Sequence, residues 1–303
     1  MDWLAEPLSQ AFMRQAILGG CLAAVTTALV GTWMVLRGLT FMGDALAHGV
    51  LPGIAIAFLI DGNLVAGALV GALAMVGGIH VVYQRSGLPE DVGIGLLFVG
   101  MLALGVVVIS RSGSFTVGLT ALLFGDVLGI TTGDVALLAA AVVVTATALV
   151  VLHRGLLALT FNPVKARALG LHPEAMHLVM LTLIALAIVT SFRPVGALLV
   201  FAMLVAPPST AALLVRRVPA MMLTATAVGV ASVVVGLVLS YHADTAASAT
   251  VAVTAVAVFF TTLGIRDGSR HLRRRRLRAG GEHATSLDNG PFGTSRSASA
   301  SAR

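Results

Sequence analysis

The sequence predicts an all-α, polytopic membrane protein with about nine spanning helices, eight to ten at the limits. Three observations carry that reading. First, 58% of the 303 residues are hydrophobic and only 11% are charged, whereas soluble domains carry roughly a quarter charged residues. Second, the mean hydropathy is +1.00, and the apolar residues fall in runs long enough to span. Third, the bases and acids fall almost entirely between those runs. Net charge +6 and a pI near 10.9 would suit a nucleic-acid binder, but nine of the nineteen basic residues lie after Leu263. The rest are scattered singly, and no aromatic-basic platform accompanies them, so nucleic acid is excluded as a partner.

A span needs about 20 apolar residues. The runs that meet this are 13–36, 42–60, 64–83, 93–110, 134–152, 176–191, 195–215, 221–240 and 246–265. The first begins after "MDWLAEPLSQ", which has two acids and no base. That rules out the basic n-region of a secretory signal, so the run is read as a retained span. The second holds the chain's densest polar intrusion, "FMGDALAHGVLPG" (Phe41–Gly53). The third carries "GALVG" (Gly67–Gly71), which with "GVLPG" (Gly49–Gly53) spells GxxxG twice and predicts close helix packing. Between the fourth and fifth runs, 111–133 reads as a short re-entrant or interfacial helix and is not counted as a span.

The loops assign a direction. With an odd number of spans and the tail inside, the inner loops hold Arg37, Arg85, Arg154, Lys165, Arg167, Arg216 and Arg217. The outer segments hold only Arg14, Arg111 and Arg193, a bias of the expected sign. Residues 1–12 are then extracytoplasmic, 13–265 form the membrane domain, and 266–303 form a basic cytoplasmic tail. Its Ser/Gly/Arg composition offers little to bury and reads as disordered. Its arginines could meet anionic lipid headgroups or simply set topology. Cys21, the only cysteine, sits in an apolar run and reads as a small packing residue, with no metal or redox motif around it.

Ionisable residues within spans are costly and are functional candidates by default. Almost all of the chain's ionisable residues fall in loops or at span ends, and Asp44, His48 and His80 are the exceptions. Asp44 and His48 are four apart, hence on one helical face. A hard oxygen and a borderline nitrogen converging there suit Mn²⁺, Fe²⁺ or Zn²⁺ better than Cu(I). Pro52 removes the donor for the His48 carbonyl and predicts a kink, while Gly43, Gly49 and Gly53 leave room beside it. Two readings fit equally: a shared metal or proton site, or Asp44 capping a helix start while His48 packs. His80 reads as structural, and Met34, Met42, Met75, Met101 and Met203 as packing. Two ligands do not complete a metal site; waters, carbonyls or a second Asp44/His48 pair from a two-fold partner would have to.

The stretch "MVLRGLTFMGDALAHGVLPGIAIAF" (Met34–Phe58) resembles the membrane subunits of ABC-type zinc/manganese uptake systems, matching their Gly-Asp-Ala-Leu-x-His-x-x-Leu-Pro-Gly pattern from Gly43 to Gly53. The similarity continues in "PEDVGIGLLFVGMLALGVVVIS" (89–110), "LLFGDVLGI" (122–130), "NPVKARALGLH" (162–172) and "RPVGALLVFAMLVAPPSTAALLV" (193–215). It implies a bacterial plasma-membrane permease that works as a homodimeric or pseudo-symmetric pair with two cytoplasmic ATP-binding subunits and an extracytoplasmic metal-binding protein. It also implies Asp44 and His48 as metal-pathway residues, with zinc narrowly favoured over manganese as cargo. Asn162, Pro163, Lys165, Ala166, Arg167, Ala168, Leu169 and Gly170 resemble the segment that docks on the ATPase. The composition agrees with a short inner-loop helix there, with Pro163 in its first turn and Gly170 at its end.

No GxxxxGK[ST] phosphate loop, HExxH or GxSxG is present, so an enzymatic role for the chain itself is not expected, and ATP belongs to a partner. His242 and Asp244, two apart in an outer turn, could relay an ion or form an ordinary solvated turn. The competing functions are a proton-coupled secondary transporter using Asp44 and His48 as a relay, and a membrane scaffold in which they only pack.

Overall fold

The computed structural model describes residues 9–87, 89–110, 125–161 and 172–288. Among these residues ten α-helices are described: α1 (Ala11–Leu36), α2 (Thr40–Gly49), α3 (Leu51–Leu59), α4 (Leu64–Arg85), α5 (Glu90–Ser110), α6 (Thr132–Phe161), α7 (Pro173–Val195), α8 (Ala197–Leu214), α9 (Val218–Ala243) and α10 (Ala247–Asp288). Among the described residues, nine stretches are long and apolar enough to cross a membrane, α2 and α3 together forming one of them. In a bilayer a helix meets its backbone hydrogen-bonding needs largely within its own segment. The chain is a multi-pass membrane protein.

The helices sort into an inner and an outer set. Buried residues make up 67% of the apolar window of α1, 72% of α2–α3, 67% of α7 and 61% of α8, against 17% for α5 and 22% for α6. The outer set turns Leu96, Val99, Val107, Val143 and Val150 outward, as expected where the solvent is hydrocarbon. α1 is the central post, packed against α6, α7, α8 and α9. Its sequence permits that because small residues face several neighbours at once: Ala16, Ala23, Ala24 and Ala28 are fully or nearly fully buried. A Cβ at Gly31 would strike the Leu204 carbonyl of α8. The hydroxyls of α1 are silenced internally: Thr27 Oγ1 donates to the Ala23 carbonyl at 2.7 Å and Thr32 Oγ1 to that of Ala28 at 2.8 Å, the usual accommodation of Thr in an apolar helix.

The two GxxxG stretches pack on each other. A Cβ on Gly53 would run into the Gly67 carbonyl, and one on Gly67 into the Gly53 carbonyl, while Gly71 lies against Val50. α3 and α4 therefore meet backbone to backbone, the arrangement small residues allow in membranes.

The turn from α1 to α2 is a tight one. Arg37 closes α1, and Gly38 takes φ +71°. The Gly38 N–H donates to the Val35 carbonyl at 3.1 Å and the Leu39 N–H to that of Met34 at 3.0 Å. These two bonds make a Schellman motif, which needs a left-handed residue at the position Gly38 fills.

α7 and α8 are joined by Gly196 alone, with φ +85°. Gly125, also with positive φ, backs onto it so closely that a Cβ would strike the Gly196 nitrogen. Of the 111–133 stretch read as re-entrant or interfacial, 111–124 lies outside the described residues. The remainder forms a single 3₁₀ turn, Val127–Gly129, capped by Asp126, whose Oδ1 accepts from the Gly129 N–H at 2.9 Å. α6 starts directly after it. α4 is opened by Asn63, whose side chain accepts from Val65 N–H at 2.9 Å and Ala66 N–H at 3.2 Å. Residues 1–259 form one compact unit and 260–303 another. The last span, placed at 246–265 from the sequence, falls at Ala247–Gly268 within α10.

Candidate functional site

Because α2 begins at Thr40, Asp44 stands in its second turn, past the positions whose N–H groups need a cap; the first turn of α2 holds no acid. The capping reading of Asp44 therefore fails on geometry. Its carboxylate turns instead along the helix face to His48: Asp44 Oδ1 and His48 Nε2 are 3.5 Å apart, with 32% and 25% of their side chains exposed. Two donors bound to one ion at about 2.1 Å each, at a near-tetrahedral angle, stand about 3.4 Å apart. The pair is spaced to share a cation. At 1.5 Å rise per residue, Asp44 lies about 6 Å and His48 about 12 Å along the helix from Thr40.

The surroundings fix the imidazole. Its ring meets the Phe98 ring of α5 edge-on at 5.6 Å, and Phe98 in turn meets Phe41 at 5.7 Å. Gly43 lets α2 settle against α1, where a Cβ would come within 3.2 Å of Met34 Cε. Directly beyond the pair the helix is interrupted at Val50, with Pro52 in the first turn of α3. The kink expected from Pro52 thus appears as a break between two helices, Gly49 and Gly53 lying on the face that packs on α4. Among the described residues no group of three or more His, Cys, Asp or Glu is placed to hold a metal.

The remaining candidates lie elsewhere. His80 pairs through Nε2 with Gln84 Nε2 at 3.0 Å, and Gln84 donates to Glu174 Oε2 of α7 at 3.3 Å. That contact lies where the carboxyl end of α4 meets the amino end of α7, apart from Asp44 and His48. His242 and Asp244 terminate α9: His242 Nδ1 lies 2.9 Å from the Val238 carbonyl, and Asp244 takes the left-handed conformation with φ +49°. Both are exposed. Residues Asn162 to Gly170 lie outside the described residues, between the end of α6 and the start of α7.

Sequence reasoning missed two things here. Phe98 appears in the sequence as one more apolar residue of a span, and only packing reveals its ring against His48. Arg37 counts in the sequence as a loop charge, yet its Nη1 donates to His177 Nδ1 at 2.8 Å across 140 residues. The available signal was that Arg37 precedes a glycine directly ahead of the polar helix.

Nine membrane-spanning stretches among the described residues, one of them broken beside a polar pair, make the architecture that of a multi-pass membrane protein. The chain belongs to the ABC 3 transport family, whose model matches residues 9–266. It is 36% identical over 262 residues to a probable iron transport system membrane protein of Haemophilus influenzae, covering 86% of this chain and 96% of that one. It is 32% identical over 260 residues to the manganese transport system membrane protein MntC of Listeria monocytogenes, covering 86% and 92%. Among solved structures, PsaBC from Streptococcus pneumoniae in complex with Fab superposes with a TM-score of 0.79 at 27% identity, covering 90% of this chain and 99% of that one.

Proposed function

We propose that the chain is the membrane permease of an ATP-driven importer of a divalent transition metal in the bacterial plasma membrane, and that the ion passes between Asp44 and His48. The observation that carries this is the 3.5 Å approach of Asp44 Oδ1 to His48 Nε2 on one face of a buried, interrupted helix. Family membership supports transport, and relatives named for manganese and iron support metal as cargo. Manganese and ferrous iron come first on those names. Zinc, narrowly preferred on the sequence alone, is the competitor, because one oxygen and one nitrogen donor do not discriminate among the three.

A second copy of the chain supplies the other Asp44/His48 pair. An incomplete site suits transport, since an ion held by a full ligand set would not leave. An extracytoplasmic metal-binding protein delivers the ion, and cytoplasmic ATP-binding subunits dock at 162–170 and drive the change of access. His242 and Asp244 serve as the end of α9, for which their local bonds account.

The test is reconstitution in proteoliposomes with the ATPase and metal-binding subunits, measuring uptake of Mn²⁺, Fe²⁺ and Zn²⁺ in competition. Uptake that requires ATP and is blocked by excess Mn²⁺ or Fe²⁺ is expected. Uptake that follows a pH gradient without the ATPase would replace this reading with the proton-coupled one.

A further inference from the structure

The end of α1 grips both helices that flank the 162–171 segment. One turn before the end, Trp33, wholly buried, sets its ring against His153 of α6 with centroids 5.6 Å apart. At the end itself, Arg37 Nη1 donates to Nδ1 of His177 in α7 at 2.8 Å and lies 3.7 Å from Met180 Sδ. A guanidinium has only donors, so Nδ1 is the acceptor. His177 is buried and also packs against the Tyr83 ring of α4, at 5.5 Å. α6 and α7 are themselves locked together nearby: a Cβ on Gly155 would come within 2.7 Å of Met176 Sδ.

What Arg37 is attached to gives this grip its meaning. It is the last residue before the Schellman turn at Gly38, and two residues later α2 begins, with Asp44 in its second turn. The turn is closed by two backbone hydrogen bonds, so it behaves as a rigid elbow and not as a slack loop. A displacement entering at the first turns of α7 therefore reaches α2 through one side-chain bond and one stiff turn. α7 also packs directly along α2, but through apolar surfaces that can slide, whereas the Arg37–His177 bond is directional.

We propose that Arg37 is a positioning residue for transport: it couples movement of the α6 and α7 ends to the placement of Asp44 and His48. The proposal rests on the reading of 162–170 as the ATPase-docking segment, and the experiment separates the two. The transporter is assembled with its ATPase and metal-binding subunits in proteoliposomes, and Mn²⁺ uptake and ATP hydrolysis are measured together. Arg37→Ala is expected to hydrolyse ATP within about twofold of wild type while Mn²⁺ taken up per ATP falls about tenfold, the size of a lost coupling contact. Arg37→Lys, which keeps one donor for Nδ1, recovers part of the ratio. His177→Phe reproduces Arg37→Ala, and the double variant falls no further. An unchanged ratio in Arg37→Ala, or hydrolysis and uptake falling in proportion, overturns the proposal. If Arg37→Ala does not assemble, Arg37→Lys and His177→Gln decide it: wild-type ratios in both overturn it, and intermediate ratios uphold it. Arg167→Glu tests the underlying reading on its own, by loss of the ATPase subunit from the purified complex; its retention refutes docking at 162–170 whatever Arg37 does.

Discussion

The imidazole of His48 lies edge-on to the ring of Phe98, 5.6 Å between centroids, while its Nε2 stays 3.5 Å from Asp44. An aromatic on α5 thus holds the aim of an imidazole on α2. Such ring pairs contribute about 0.5–1.5 kcal/mol. Phe98→Ala should free the imidazole to rotate and raise the KM for Mn²⁺ uptake by roughly two- to tenfold, with kcat little altered. Initial uptake rates over a range of Mn²⁺ concentrations check this.

The α3–α4 crossing has no room for a methyl group. Gly53→Ala would place Cβ against the Gly67 carbonyl, and overpacking of this kind costs about 1–3 kcal/mol. The melting temperature of the detergent-solubilised protein should fall clearly. Gly49→Ala should cost less, because its Cβ would meet the Met75 side chain at 2.9 Å, and that chain can shift.

Gly38 tests a different cost. Nothing lies within 4 Å of a Cβ there, but φ is +71°. Gly38→Ala should therefore destabilise by about 1 kcal/mol from backbone conformation alone. Gly38→Asn, which tolerates the left-handed region better, should lose less. Chemical or thermal unfolding of the two variants side by side provides the comparison.

Asn63 gives a control far from any proposed chemistry. It accepts two backbone N–H bonds at the start of α4, so Asn63→Ala should cost about 1 kcal/mol and Asn63→Asp almost nothing. Both should transport at the wild-type rate per assembled complex.

The spans were legible because lipid imposes one long apolar run per crossing, and all nine runs coincide with helical spans. The Asp44/His48 pairing was legible because helical spacing alone puts i and i+4 together. GxxxG predicted close packing, but not that Gly53 and Gly67 would be each other's partners; that depends on which helices neighbour in space. The capping alternative for Asp44 could be closed only once α2 was seen to begin at Thr40. Arg37 and His177 were invisible as a pair, since a bond across 140 residues leaves no local pattern.

The most direct measurement is ATP-dependent Mn²⁺ uptake by the reconstituted transporter carrying Asp44→Asn or His48→Gln, normalised to assembled complex. Each substitution keeps side-chain size and polarity near wild type while weakening a ligand. Both side chains keep part of their surface exposed and each replacement is close in shape, so folding should survive, and normalisation to assembled complex removes any loss of yield. The account predicts that uptake falls at least about tenfold in each variant, a factor equivalent to ~1.4 kcal/mol, with ATP hydrolysis still supported by the assembled complex. Wild-type uptake of every metal in both variants would contradict it and remove Asp44 and His48 from the pathway.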